Sequence, residues 1–249
     1  MTILDDILRH KRDEVAALPD CAPQPSTRDF VAGLRTASPC LIAEVKPKSP
    51  SAGPLLDRAN VPALMESYNR HAQAVSVLCD ERFFGGGFDL LRQVRALTDL
   101  PILAKEFIVD AKQIRVARDA GADAVLLIAN VLSANEILRF SAEATGLGMG
   151  VLLELHDESD LEKIPAMHAG TLVLGINNRS LATLHIDLDT TARLSPLVRT
   201  LCPGHLVIGE SGVTMKADLA RLQPSVDGFL IGTGLLAGTM LGAFPPHRP

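Results

Sequence analysis

Cys40-Leu-Ile-Ala-Glu-Val-Lys46 is an apolar run that ends in two charges. Its near-continuous small and branched hydrophobes have the pattern of a strand covered on both faces, as in a parallel sheet. Glu44 and Lys46 are two residues apart and so share a face of that strand. Charges inside an apolar strand are costly to desolvate unless paired, so the run ends either in an internal salt bridge or in one wall of a polar site.

The same pattern recurs along the chain. Short runs rich in Val, Ile and Leu stand at 74–79, 102–107, 124–128, 151–156, 172–177, 206–210 and 228–232. Helix-length segments lie between them. Ser133-Ala-Asn-Glu136 is a capping box and Asp110-Ala-Lys-Gln113 a weaker one. Gly121 and Gly146 stand where helix C-caps belong. Eight strands alternating with helices predict an α/β fold, a closed (β/α)8 TIM barrel, with a doubly wound open sheet as the competing arrangement. Residues 1–39 precede the first strand and predict an N-terminal helical extension: a charged amphipathic helix, a proline-rich link over 19–25 and a second short helix within 27–34. The expected organisation is one domain over 1–249, with the barrel at 40–249.

The strand ends favour the barrel, whose catalytic groups come from the C-terminal ends of its strands. Those ends carry Glu44 and Lys46, Lys105 and Glu106, Glu154 and His156, Asn177 and Arg179, then Glu210-Ser-Gly212 and Gly232-Thr-Gly234. Polar residues repeated at one end of several strands are harder to explain as isolated salt bridges. Lys105 and Glu106 point oppositely, so at most one of them enters the mouth. His156 is expected to be a polar neighbour of Glu154. The glycine loops after the last two strands suit a phosphate, held by backbone N–H groups at helix starts.

Composition excludes other classes. The 249 residues carry a net charge of -5, with no Trp, one Tyr and eight Phe. That argues against a nucleic-acid surface. Four scattered cysteines form no CxxC pair, which suits reduced thiols and a cytoplasmic protein. The seven histidines form no HExxH pattern, so no metal is expected. No signal peptide and no membrane span are expected. Gly85-Gly-Gly87 lacks the dinucleotide spacing and is expected to be a flexible loop tip.

Several motifs resemble one family. Ile42-Ala-Glu-Val-Lys-Pro-Lys-Ser-Pro-Ser51, Ser76-Val-Leu-Cys-Asp-Glu-Arg-Phe-Phe-Gly85 and Pro101-Ile-Leu-Ala-Lys-Glu-Phe-Ile-Val-Asp110 are similar to indole-3-glycerol phosphate synthases. Gly121-Ala-Asp-Ala-Val-Leu-Leu-Ile128, Glu154-Leu-His-Asp157, Gly175-Ile-Asn-Asn-Arg179, Glu210-Ser-Gly-Val213 and Phe229-Leu-Ile-Gly-Thr233 continue the likeness in order. The resemblance implies closure of 1-(2-carboxyphenylamino)-1-deoxyribulose 5-phosphate to indole-3-glycerol phosphate, with loss of CO2 and water and without a cofactor. It assigns the general acid to Lys105, its carboxylate partner to Glu154, and a second acid or carboxylate-binding role to Lys46. Glu44 and Asn177 become orienting groups, Ser49, Arg179 and Ser211 substrate contacts, and Gly212, Gly232 and Thr233 the phosphate cradle.

Which lysine acts at which proton transfer stays open. The two lysines are expected to depress each other's pKa while Glu44 and Glu154 oppose that shift. The chain departs from the family in Pro47, in Ser180 where an aspartate is common, in Thr233 for a frequent serine, and in a short tail expected to truncate the last helix. The expected partner is a small phosphorylated substrate, bound by a monomer or weak homo-oligomer. Two alternatives use the same strand ends: a Schiff-base aldolase, and a non-catalytic phosphate-ligand-binding paralogue.

Overall fold

The computed structural model describes residues 2–50, 52–238 and 240–246. Ser51 of the first motif and the tail's closing His247-Arg-Pro249 lie outside the described residues. Among the described residues, eight parallel strands close into a barrel: β1 (Cys40–Val45), β2 (Ala74–Leu78), β3 (Ile102–Lys105), β4 (Ala124–Ile128), β5 (Gly150–Leu155), β6 (Leu172–Asn177), β7 (Leu206–Glu210) and β8 (Gly228–Ile231). Each pairs with its neighbours in sequence, and β1 pairs with β8 through Cys40 and Gly228 to complete the ring. The open-sheet alternative is thereby excluded.

The barrel interior follows from the pleat. Side chains alternate between the interior and the surrounding helices. Cys40, Ile42, Leu103, Leu126, Leu152, Val173, Ile208 and Leu230 form the inner core. Leu41, Ala43, Val45, Val75, Val77, Val125, Val151, Leu153, Leu174 and Val207 face outward into a second core shared with the helices. Burying each large side chain stabilises the fold by about 1.5–3 kcal/mol.

The helices obey their local signals. In α1 (Ile3–Ala17) Thr2 and Asp5 form a capping box, with Thr2 N–H donating to Asp5 over 2.7 Å. After α2 (Phe30–Leu34) come α3 (Val61–His71), α4 (Glu81–Phe84), α5 (Phe88–Arg95), α6 (Ala111–Asp119) and α7 (Ala134–Gly146). The boxes at Asp110 and Ser133 both form, and α7 buries Ile137, Phe140 and Ala144. Gly121, at φ +108°, does end α6; Gly146 does not end α7 as a left-handed cap. It remains helical, and Gly148 takes the left-handed backbone at φ +66° instead. The chain closes with α8 (Asp189–Leu201), α9 (Lys216–Leu222) and α10 (Thr233–Leu236). This last helix is a single turn, and buried Phe244, stacked edge-on to Phe229, pins the segment that follows.

The extension works at both ends of the barrel. Phe30, Val31 and Leu34 of α2 belong to the inner core beside Cys40, Ala74 and Ala124, which open their strands. They plug the bottom. α1 lies at the other end, where Ile3, Leu4 and Ile7 line a small cavity with Lys46 and Ser49. Lys11 of α1 is buried with its ammonium 2.9 Å from Asp80 and 3.1 Å from Glu106, and Glu14 covers it at 2.7 Å. Glu106 therefore anchors a helix while its neighbour Lys105 enters the barrel.

The triple glycine is not a loose loop tip. Gly85, Gly86 and Gly87 donate to Glu81, Asp80 and Leu78 carbonyls, closing the turn between α4 and α5. A side chain at Gly86 would meet the Leu78 carbonyl oxygen at 1.8 Å. Close backbone approach, rather than mobility, requires glycine there.

Candidate active site

The polar residues at the strand ends continue the interior columns. Leu103 leads to Lys105, Leu152 to Glu154, Val173 and Gly175 to Asn177, Ile208 to Glu210, and Ile42 to Glu44 and Lys46. The result is a cavity of about 290 Å³ at the C-terminal mouth, with the inner core as its floor. Glu44, Lys46, Lys105, Glu154, Asn177, Arg179, Ser211, Gly212, Gly232 and Thr233 all line it. Ser49 stands apart, in the adjoining cavity of about 100 Å³ under α1, which Lys46, Arg179 and Thr233 also border.

Lys105 sits at the centre. Its ammonium donates to Glu154 Oε2 over 3.1 Å and to Glu210 Oε2 over 2.7 Å. Lys46 donates to Glu44 on its own strand. Burial opposes the charge on Lys105, but Glu154, Glu210 and Glu44 outweigh it and hold its pKa well above the ordinary lysine range. The expected mutual depression of the two lysines is thus overturned at Lys105: three carboxylates surround it, and Lys46 is occupied by Glu44. A Schiff-base lysine must be neutral to attack a carbonyl, so this environment favours the wrong charge state for the aldolase alternative.

The two carboxylates differ. Burial would raise both, yet Lys105, His156 and Asn177 hold Glu154 below its ordinary value. Glu210 is raised, because burial and the Glu154 charge outweigh its contact with Lys105. The pair places its first added proton on Glu210 and leaves Glu154 an anion.

Glu210 was visible at a strand end but was not among the expected site residues. Its signal was parity, since it continues the column of Leu206 and Ile208. Gly175 makes room for it: a Cβ there would meet Glu210 Oε1 at 2.1 Å. Gly232 does the same for Glu44 Oε1, at 2.2 Å. Gly175→Ala is therefore expected to swing Glu210 away from Lys105. The overpacking costs about 1–3 kcal/mol and the displacement lowers kcat on the order of 10²-fold. Thermal melts and steady-state rates on one preparation separate the two effects.

The loops are braced from behind. Asn178, of opposite parity to Asn177, donates to the Glu210 and Ser211 carbonyls, both at 3.1 Å, and accepts from Thr191. Ser211 is held at φ +62° and Gly212 at +83°, turning the chain into the mouth. Arg179 donates to the Leu184 carbonyl over 3.2 Å, and Ser180 accepts from Thr183 N–H within the same loop. Gln113 ties down the loop after Lys105 by donating to Phe107 and accepting from Val109 and Asp110. Pro47 accepts from Leu55 and Leu56 N–H groups, closing the loop after β1 on itself.

The family model for indole-3-glycerol phosphate synthase matches residues 4–244. The chain is 41% identical to an indole-3-glycerol phosphate synthase from Rhodopirellula baltica, covering 95% of this chain and 94% of that one. It is 39% identical to one from Chloroherpeton thalassium, covering 98% of each. A "Tryptophan biosynthesis protein TrpCF" from Vibrio parahaemolyticus is 41% identical over 86% of this chain, which spans only 44% of that longer protein. Among solved structures, a tryptophan synthase alpha-subunit from Pyrococcus furiosus superposes with a TM-score of 0.60 over 83% of this chain and 91% of that one; at 14% identity this likeness shows the barrel fold alone. With a matched model over nearly its whole length, the chain belongs to the indole-3-glycerol phosphate synthase family.

Proposed function

We propose that this chain closes the indole ring of 1-(2-carboxyphenylamino)-1-deoxyribulose 5-phosphate, releasing CO2 and water, as a carbon–carbon lyase of tryptophan biosynthesis. The observation that carries this reading is the Lys105 ammonium held between Glu154 and Glu210 on the floor of the cavity. The carboxyl-bearing ring carbon attacks the ketone, and Lys105 gives the oxygen a proton. Its raised pKa keeps it fully protonated before the reaction, and the alkoxide forming in the transition state is basic enough to take that proton. Departure of CO2 then restores the aromatic ring. Loss of the new hydroxyl as water needs a second proton, and Lys46, which lines the same cavity, gives it. Glu154, kept anionic, removes the last proton from the carbon beside nitrogen. Two protons enter and one leaves, so each turnover consumes one.

Arg179 and Lys46 offer positive charge to the substrate carboxylate, with Ser49 at the edge of the adjoining cavity. Phe84, Phe107 and Leu181 give the aryl ring an apolar surface there. Glu44 orients Lys46, and Asn177 orients Glu154. The loops at Ser211, Gly212, Gly232 and Thr233 supply N–H groups for the phosphate, with α10 starting at Thr233 and lacking a side-chain cap. The chemistry calls on no cofactor. We take residues 1–39 as an extension and 40–249 as the barrel of one domain, acting as a monomer or weak homo-oligomer in the cytoplasm.

Incubation of the purified chain with the carboxyphenylamino substrate is the test. Indole absorbance rising with turnover is the expected result. Tight substrate binding without product would instead favour a ligand-binding paralogue.

A further inference from the structure

We infer that His156 is a positioning residue for Glu154: backed by Asp160, its ring fixes which Glu154 oxygen faces Lys105 and keeps that carboxylate an anion. This rests on the reading of Glu154 as the base and deepens it.

The geometry is a line of groups leading out of the pocket. Glu154 presents Oε2 to Lys105 at 3.1 Å and Oε1 to His156 Nε2 at 3.2 Å. The other ring nitrogen, Nδ1, lies 3.9 Å from Asp160 Oδ2. Asp160 arrives there because the chain turns back after β5 into a 3-10 helix at Glu158–Lys163, where the same Oδ2 accepts from the His156 backbone N–H over 2.9 Å. His156 is 7% exposed and Asp160 1%.

Packing alone does not account for an imidazole here. Among the described residues, neither ring nitrogen has an aligned hydrogen-bond partner, yet both are fully buried. Charge attraction is what the ring gains. It faces Glu154 from β5, Asp160 from the 3-10 helix and Glu210 from β7, with Asp157 next to it in the chain; Lys105 lies on the far side of Glu154, and Lys163 3.5 Å from Asp160. Burial works against a charged ring, but the three carboxylates prevail and raise its pKa above the ordinary value. With the ring charged, both Glu154 oxygens have cationic partners. Without that charge, Glu154 and Glu210 share Lys105 alone, and the pair binds a proton more readily.

His156→Gln keeps a polar side chain and removes the charge. Asp160→Asn keeps an acceptor for the His156 backbone N–H and leaves the pocket lining intact; it removes the negative charge that both the ring and Lys163 face. In both, the acid limb of the kcat/KM profile is expected to move to higher pH. The rate on that limb then falls about tenfold for each pH step it moves, while rates converge at alkaline pH. In the ligand-free protein, the His156 C2 proton should titrate above the usual histidine range and fall toward it in Asp160→Asn and Glu154→Gln. Profiles that superimpose in shape on wild type, or a His156 titration indifferent to Glu154→Gln, would overturn the inference. A uniform loss of rate matched by a lower melting temperature would make His156 merely structural, and so overturn it too. The titration needs no turnover: an inert wild-type protein sinks the proposed reaction, and the histidine signal still decides the coupling.

Discussion

Lys105→Met is expected to lower kcat on the order of 10²–10⁴-fold, the range set by loss of a positioned general acid. Methionine retains the apolar stem beside Leu103 and removes only the ammonium. The damage extends beyond that proton. Glu154 and Glu210 would then face each other without the cation that now touches both. Like charges in a buried site cannot both stay ionised, so one takes up a proton and the base is compromised with the acid. Adding Glu154→Gln to Lys105→Met should therefore cost little more than the single change, a marked departure from additivity. Single-turnover formation of indole product in the three variants measures this directly. Independent losses that multiply would contradict a shared Lys105–Glu154–Glu210 unit.

Lys11→Met carries the largest expected effect on stability. The ammonium contacts Asp80 and Glu106, both buried, and its removal leaves them uncompensated. Breaking a buried pair of this kind costs about 3–5 kcal/mol. The cost should depend on pH. Burial already pushes Glu106 up to about 7, against the pull of Lys11 and the Phe107 N–H. A carboxylate raised in the folded state contributes stability that is intact below its unfolded value and lost as pH rises through the folded one. Lys11→Met raises Glu106 further, so urea midpoints of variant and wild type should lie closer at pH 5 than at pH 8. A pH-independent difference would deny Glu106 this part. Function should suffer as well. α1 supplies Ile3, Leu4 and Ile7 to the cavity beside Lys46, so loosening it should raise KM more than it lowers kcat.

Much of this site was legible because strand parity is local. Glu44 with Lys46 and Glu154 with His156 could each be placed on one face from spacing alone, and Lys105 could be separated from Glu106. The capping boxes at Asp110 and Ser133 were equally local, since donor and acceptor lie three residues apart. What escaped depends on contacts between distant strands. Glu210 touches Lys105 across 105 positions of sequence, and no window holds both. Gly175 and Gly232 resemble turn or loop glycines until the carboxylates in front of them are seen. The triple glycine is pressed against the Leu78 carbonyl, a backbone approach that composition does not encode. The protonation of Lys105 turned on counting three carboxylates around it, only two of which had been anticipated.

The pleat that separates Lys105 from Glu106 also sets what kind of change this barrel tolerates. A one-residue deletion in β3, shifting its pairing with β2 by a single step, would exchange the two side chains. The mouth would then trade a cation for an anion and swing by two charges, while Lys105 would meet Lys11 outside. Loops such as the one after β1 take insertions without that penalty. The frame of β3 is thus fixed by electrostatics as well as by packing, and the loops above the barrel are the freer place for new specificities.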